Sequence, residues 1–231
     1  MDGNTKVIKL GGVNAYLVKV AGAPGSSLDA FVLIDTGFKR SWPRLRAALQ
    51  TEGCLAENLR LVVLTHGDMD HVGNCARLHH EYGVPIVIHS GDLRAVETGA
   101  APKRINKGLL ARTVGLLGKA MTALQRGPLF ETFTPQGLVT DGQSFADYGF
   151  AARVIHVPGH TKGSIAILAE DGALYAGDTL FDMKRPPLLI ENLEEFRASV
   201  AKLRSLQGEV KTVYPGHGKP FPAERMGRMR I

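Results

Sequence analysis

Cysteines and long apolar runs are scarce in this sequence. The 231 residues include only Cys54 and Cys75, too few for the disulfide framework of a small secreted domain. Cys75 also falls at an apolar position of a predicted helix, which favours a reduced, packed thiol. No apolar run approaches the roughly 20 residues needed to span a bilayer, and the N-terminal residues lack the pattern of a secretory signal. We therefore expect a cytoplasmic protein without a membrane span.

The charge distribution does not mark a nucleic-acid-binding face. The formal net charge is +6, but the basic residues are scattered except near 103–126 and in the C-terminal RMGRMR. A binding face for nucleic acid concentrates basic residues on one surface, so nucleic acid is not an expected partner. Hydrophobic residues make up 44% of the chain, and the length suits one α/β domain over residues 1–231 with a helical insertion at about 96–130.

Short runs rich in Val, Ile and aromatic residues alternate with helical patterns, and this alternation indicates an α/β fold. The predicted strands lie in VIKLGG, NAYLVKV, AFVLID, LRLVVLT, VPIVIH, FAARVIHVPGH, SIAILAE, ALYAGDTL and KTVYPGHG.

Outside the insertion, apolar residues at helical spacing predict three helices. Ser41 is expected to cap the first, which ends near Gly53, and the second runs from Val72 to Tyr82. In the third, Asn192 and Glu195 resemble a capping box. Its predicted inward face carries Leu193, Phe196, Val200 and Leu203.

Four predicted strands end in segments that carry histidine or aspartate. The segment THGDMDHVGN places two histidines and two aspartates within the six positions His66 to His71, and VPGH, AGDT and YPGH end three later strands. In α/β sheets this end of the strands usually carries the site. Imidazole and carboxylate are metal ligands, and two ions that share one ligand need about seven side chains. The segments supply His66, Asp68, Asp70, His71, His160, Asp178 and His217.

These residues, in this order, resemble the metallo-β-lactamase superfamily, whose H-x-H-x-D-H motif is followed by later His, Asp and His ligands. The resemblance covers nearly the whole chain. It implies an αββα sandwich of two mixed β-sheets flanked by helices, with two divalent metal ions in a cleft at one edge. It also implies that metal one is bound by His66, Asp68 and His160, metal two by Asp70, His71 and His217, and both by Asp178.

The resemblance further implies roles for two aspartates. Asp35, in the segment LIDTG, matches a family element whose aspartate has a supporting role near the site. Asp70 matches a catalytic aspartate that orients the attacking water or accepts its proton, besides ligating metal two.

Asp68 departs from the family pattern, which has histidine at this place. Three ligand aspartates (−3) and two divalent ions (+4) leave a site charge of +1, whereas histidine at 68 would leave +2. We expect the extra carboxylate to weaken Lewis acidity, to raise the pKa of the bridging water and to favour harder ions. Zinc is the expected metal, with iron or manganese as the alternatives.

The expected function is that of a metal-dependent hydrolase acting on a small-molecule ester, lactone, thioester or phosphodiester, similar to the small lactonase and glyoxalase-II-like members of the superfamily. The first alternative is an iron-dependent redox enzyme, because the flavodiiron branch also carries a carboxylate at the place of Asp68. The second is a noncatalytic nucleic-acid-binding module, which would require all seven predicted ligands to be vestigial.

A basic amphipathic helix is predicted near 105–126. Its functional alternatives are a lid over the cleft, a homodimer contact, or a surface for membranes or acidic partners. The plain structural alternative is a helix that covers the core and exposes a solvated basic face. Its apolar face carries Leu110, Val114, Leu117, Met121 and Leu124.

Overall fold

The computed structural model describes residues 4–22, 29–99, 129–182 and 189–229. Its strands are β1 Thr5–Lys9, β2 Asn14–Val20, β3 Ala30–Ile34, β4 Leu59–Val63, β5 Ile86–His89, β6 Gly137–Val139, β7 Ser144–Phe145, β8 Phe150–His156, β9 Ile165–Ala169, β10 Ala173–Gly177, β11 Thr212–Pro215 and β12 Phe221–Pro222. Its α-helices are α1 Trp42–Thr51, α2 Met69–Val72, α3 Cys75–Tyr82, α4 Leu93–Thr98 and α5 Leu193–Ser205.

The strands form two six-stranded sheets, and both are mixed. Sheet one has the order β1-β2-β3-β4-β5-β6, antiparallel from β1 to β3 and parallel from β3 to β6. Sheet two has the order β12-β11-β10-β9-β8-β7, in which only β10 and β11 pair in parallel. Strands covered on both faces read as continuous apolar runs, and all five residues of β3 are indeed buried.

Buried side chains fill three apolar layers. Neighbouring residues of one strand enter different layers, because successive side chains point to opposite faces of a sheet. The layer between sheet one and its helices includes Leu33, Val62, Leu45, Leu49 and Leu78. The layer between the two sheets includes Ile34, Val63, Val154, Ile167 and Tyr175. The layer between sheet two and α5 includes Leu168, Leu174, Phe196, Val200 and Leu203. The predicted αββα sandwich is confirmed.

The helix predicted from Val72 to Tyr82 is two helices. α2 ends at Val72 and α3 begins at Cys75, because Gly73 packs directly on backbone of the Gly37–Lys39 segment, where a Cβ would overlap the amide nitrogen of Lys39. Asn74 then donates to the carbonyls of Thr36 and Phe38. Two of the predicted ligands, Asp70 and His71, lie on the helical turn α2.

One predicted cap and one predicted inward-facing residue were also wrong. Ser41 precedes α1, but its hydroxyl donates to the carbonyl of Phe38 and caps no amide of the helix. Leu193 was expected to face inward, yet it is 42% exposed because it is the first residue of α5, before the helix reaches sheet two. Asn192 caps α5 as predicted, accepting from the amides of Glu194 and Glu195. The capping box is only half formed, because the amide of Asn192 donates to the carbonyl of Gly159.

Other predictions have mixed outcomes. Cys54 and Cys75 are free and buried, as expected. Pattern reading missed β6, β7 and β12, which have three residues or fewer. The basic helix near 105–126 lies outside the described residues, and the single-domain organisation stays a prediction. Over the described ranges, no helix is both long and apolar enough to cross a membrane.

Candidate metal centre

Strand ends from both sheets deliver the predicted ligands to one edge of the sandwich. The first four follow β4, at His66 and Asp68 and then at Asp70 and His71 on α2. The other three follow β8, β10 and β11, at His160, Asp178 and His217. The two sheets meet here, since the amide of Ile165 at the start of β9 donates to the carbonyl of Thr65.

His66, Asp68 and His160 form the first cluster. Asp68 Oδ2 lies 3.4 Å from His66 Nε2 and 3.1 Å from His160 Nε2. One ligand atom from each residue lies within 4.8 Å of the others, so the three atoms fit around one ion. The carboxylate that departs from the family pattern therefore points into the cluster.

Asp70, His71 and His217 form the second cluster. Asp70 Oδ2 lies 3.8 Å from His71 Nε2 and 3.4 Å from His217 Nε2, and this group also meets the 4.8 Å criterion. The side chain of His71 is fully buried, whereas those of His217 and Asp70 are 33% and 20% exposed. The site therefore opens to solvent on the side of Asp70 and His217.

Asp178 lies between the clusters. Its Oδ2 is 3.6 Å from His160 Nε2 in the first cluster and 3.3 Å from His217 Nε2 in the second, and its Oδ1 is 3.5 Å from His71 Nε2. This is the placement that a shared ligand of two ions requires.

Hydrogen bonds fix the tautomer of all four histidines. Nδ1 of His160 lies 2.8 Å from the carbonyl of Leu189, and Nδ1 of His217 lies 2.7 Å from the carbonyl of Gly12. A carbonyl oxygen only accepts, so each Nδ1 carries its hydrogen and donates. The neutral ring then has a bare lone pair on Nε2, the atom that points into the site.

The same reasoning applies to the other two histidines. Nδ1 of His71 donates to Asp35 Oδ2 at 2.7 Å. The Thr65 hydroxyl donates to the same Asp35 oxygen at 2.8 Å, so its single hydrogen is used and it accepts from Nδ1 of His66 at 2.9 Å. Asp35 therefore orients both rings, one directly and one through Thr65.

The converging atoms are almost all hydrogen-bond acceptors. Nε2 of His66, Nε2 of His71 and Oδ1 of Asp178 are buried without a hydrogen-bond partner among the described residues. Buried lone pairs and carboxylates that face each other need a cation or added protons. These nitrogen and oxygen lone pairs, on histidines whose other ring nitrogen is already hydrogen-bonded, fit divalent metal ions.

The ionisation of the ligands follows from the same geometry. Burial opposes protonation of His71, but the carboxylates of Asp35, Asp178 and Asp70 outweigh it and raise its pKa to about 10. Burial likewise opposes protonation of His217, and hydrogen bonds to Asp178 and Asp70 raise its pKa to about 11. Burial alone would raise the pKa of Asp178, but the neighbouring histidines lower it well below its usual range. The converging carboxylates therefore favour protonation of the His71 and His217 rings.

A glycine lines the centre at the YPGH loop. A Cβ on Gly216 would overlap Asp178 Oδ1 and lie 2.8 Å from Cε1 of His71. The loop itself is held by Asn14, whose side chain donates to the carbonyl of Pro215 at 2.9 Å and to that of Gly218 at 3.1 Å. The absence of a side chain at 216 therefore lets the loop that carries His217 approach the other ligands.

Sequence reasoning missed some of the surrounding residues. Asn14, Thr65 and Asp92 all bond to the loops that carry ligands. The one usable signal was position: Thr65 and Asp92 follow strands at the edge where the site lies. His156, a histidine outside the two clusters, bonds the carbonyl of Lys162 at 3.0 Å and stacks on His89 at 4.0 Å between ring centroids.

Comparisons with known proteins find relatives over most of the chain. The model of the Metallo-beta-lactamase superfamily matches residues 8–217. The probable metallo-hydrolase YflN of Bacillus subtilis is 28% identical over 229 residues, which cover 90% of this chain and 81% of that protein. A metallo-beta-lactamase family protein of Thermus thermophilus superposes with a TM-score of 0.71 at 23% identity, covering 97% of this chain and 76% of its own.

The hydroxyacylglutathione hydrolase of Methylococcus capsulatus is 40% identical, but over only 72 residues, 31% of this chain and 28% of that enzyme. A match of this extent leaves the glyoxalase-II-like subtype a prediction. The family match, in contrast, includes every predicted ligand from His66 to His217. The chain therefore belongs to the metallo-beta-lactamase superfamily and is a metal-dependent hydrolase of that class.

Proposed function

We propose that the chain binds two divalent ions and hydrolyses a small ester, lactone, thioester or phosphodiester. Metal one is assigned to His66, Asp68 and His160, metal two to Asp70, His71 and His217, and Asp178 is shared. The observation that carries this assignment is the convergence of four Nε2 lone pairs on three carboxylates, with every Nδ1 already bonded.

When bound, such a pair of ions lowers the pKa of a water molecule and holds negative charge that develops on a substrate oxygen. The protein's part is to fix the ligands and to exclude bulk water from the inner side. His66, His71 and His160 are at most 3% exposed at their side chains. Substrate therefore enters from the exposed side, past Asp70 and His217.

Asp70 is the candidate catalytic residue. Its Oδ2 faces His71 and His217. Asp178 also faces these two rings, but the side chain of Asp70 is the more exposed. A carboxylate at the open side of the site can orient an incoming water and accept its proton. Asp70 thus combines a ligand role with a proton-accepting role.

A cavity of about 230 Å³ lies beside His217. Gly12, whose carbonyl accepts from Nδ1 of His217, lines it together with Lys9 and Lys219. A cavity of this size suits a small substituent of the substrate, and the ammonium groups of Lys9 and Lys219 favour a substituent with negative charge. A substrate panel therefore needs matched neutral and carboxylate-bearing esters beside the lactone, thioester and phosphodiester.

The test combines metal analysis with turnover. Protein purified without added metal is analysed for metal content and assayed over this panel, beside Asp70→Asn and the control Asp29→Asn, which alters an exposed ion pair with Lys19. We expect close to two equivalents of metal per chain, with zinc as the expected metal. Nearly all turnover should be lost in Asp70→Asn and retained in Asp29→Asn.

Two outcomes would contradict the proposal. Turnover of Asp70→Asn equal to that of the wild type would contradict the catalytic role of Asp70. Bound iron together with oxygen consumption and no hydrolysis would favour the redox alternative that Asp68 raises.

A further inference from the structure

Asp92 is a buried carboxylate that is not among the predicted ligands. It ends the short 3-10 turn Ser90–Asp92 that links β5 to α4, and it is only 5% exposed. Its Oδ2 accepts from the amide of Gly67 at 2.8 Å and from the hydroxyl of Thr161 at 2.7 Å. Its Oδ1 accepts from the amide of Gly163 at 2.9 Å. A buried carboxylate is retained only where such donors compensate its lost hydration.

The three donors come from the two loops that carry the first cluster. Gly67 stands between His66 and Asp68, and Thr161 directly follows His160. One side chain thus joins two loops, from different sheets, whose ligand atoms lie 3.1 Å apart at Asp68 Oδ2 and His160 Nε2.

Close backbone packing shows that this junction is a built feature. A Cβ on Gly163 would lie 2.6 Å from Cγ of Asp92, and a Cβ on Gly91 would lie 2.7 Å from the amide nitrogen of Gly163. Both distances are shorter than a Cβ tolerates. Glycine at these positions lets the turn of Asp92 reach the loop after His160.

We propose that Asp92 is a positioning residue for metal one, setting the distance between the His66–Asp68 segment and His160. The inference rests on the proposed function, since it requires an ion in the first cluster. Asp92 acts only through backbone and through Thr161, and it contacts neither the ion nor the substrate. The second cluster has its own supports, Asp35 for His71 and Gly12 for His217, so the effect is confined to one ion.

The test uses a pair of substitutions at Thr161. Thr161→Val removes the hydroxyl that donates to Asp92 and keeps the shape, whereas Thr161→Ser keeps the hydroxyl. Asp92→Asn is a third variant, because its amide group must face at least one of the three donors. Asn58→Ala is the control, since Asn58 is a buried polar side chain that holds the loop before β4, at the end of this strand away from the site.

Zinc affinity is measured by competition with a chelating dye, and the cobalt-substituted proteins are compared by visible absorption. For Thr161→Val and Asp92→Asn we expect one ion bound about as tightly as in the wild type and the other at least about tenfold more weakly. Their cobalt spectra should change in one site. Thr161→Ser should restore both constants, and Asn58→Ala should lower Tm without changing either constant.

The inference is overturned if Thr161→Val and Asp92→Asn bind both ions with wild-type constants. It is also overturned if the affinity losses fall equally on both ions and are matched by Asn58→Ala, which would indicate a general loss of stability. Wild-type protein that binds no divalent ion would overturn the proposed function itself. The two failures are therefore distinguishable.

Discussion

Oδ2 of Asp35 lies 2.7 Å from Nδ1 of His71, and both side chains are almost completely buried. Asp35 also accepts from the amide and the hydroxyl of Thr65. Its backbone has φ of 58°, the left-handed region that aspartate and asparagine tolerate better than most residues. The distorted turn after β3 thus aims one carboxylate at three donors of the site.

Asp35→Asn tests this support without disturbing the left-handed backbone. Asparagine has one acceptor oxygen and no charge, so at least one of the three donors loses its partner. We expect about 10- to 100-fold weaker metal binding at the second cluster, measured by competition titration. Unchanged affinity there would contradict the role of Asp35.

Asp68→His tests the effect of the added carboxylate on the ions. The substitution raises the charge of the loaded site from +1 to +2, which lowers the pKa of a water bound between the ions. We expect the acidic limb of the pH profile of kcat/KM to move to lower pH, with metal content measured alongside. Identical limbs and identical metal content would show that residue 68 does not set the chemistry.

Gly216→Ala tests the space at the centre. The added methyl would overlap Asp178 and approach His71, so we expect the loop of His217 to move outward and metal affinity to fall by at least about tenfold. Gly208→Ala is the matched control, because a Cβ there meets nothing within 4 Å. Equal zinc affinity in the two variants would contradict the close packing at the centre.

The metal-free protein should lose stability as pH rises. The folded pKa values of His71 and His217, about 10 and about 11, exceed the usual 6.5. A raised folded pKa stabilises the protein fully below the unfolded pKa, and that contribution disappears as pH rises through the folded value. We expect the Tm of metal-free protein to decrease as the pH is raised from about 6.5 to 10. The Tm of zinc-loaded protein should decrease less over the same range, because ions replace the protons. A metal-free Tm that rises over this range would contradict the prediction.

Local pattern predicted much of the fold. Apolar strands such as β3 and β9 were readable because burial on both faces demands an unbroken apolar run. The short strands β6, β7 and β12 were not readable, since two or three residues carry too little pattern. The break between α2 and α3 depends on a contact between Gly73 and a distant segment, which helical spacing cannot show.

The sequence by itself determined the chemistry available to the site, because seven histidines and aspartates in family order restrict the choice to nitrogen and oxygen ligands. It also determined that Asp68 is a carboxylate. Only the tertiary structure decided which ring nitrogen of each histidine faces the centre, since Asp35, Thr65, Leu189 and Gly12 bind the other one. It alone connected Asp92 to loops on either side of residue 92 in the chain. Hydrogen bonds between distant segments depend on where the folded backbone brings them, and spacing along the chain does not encode that distance.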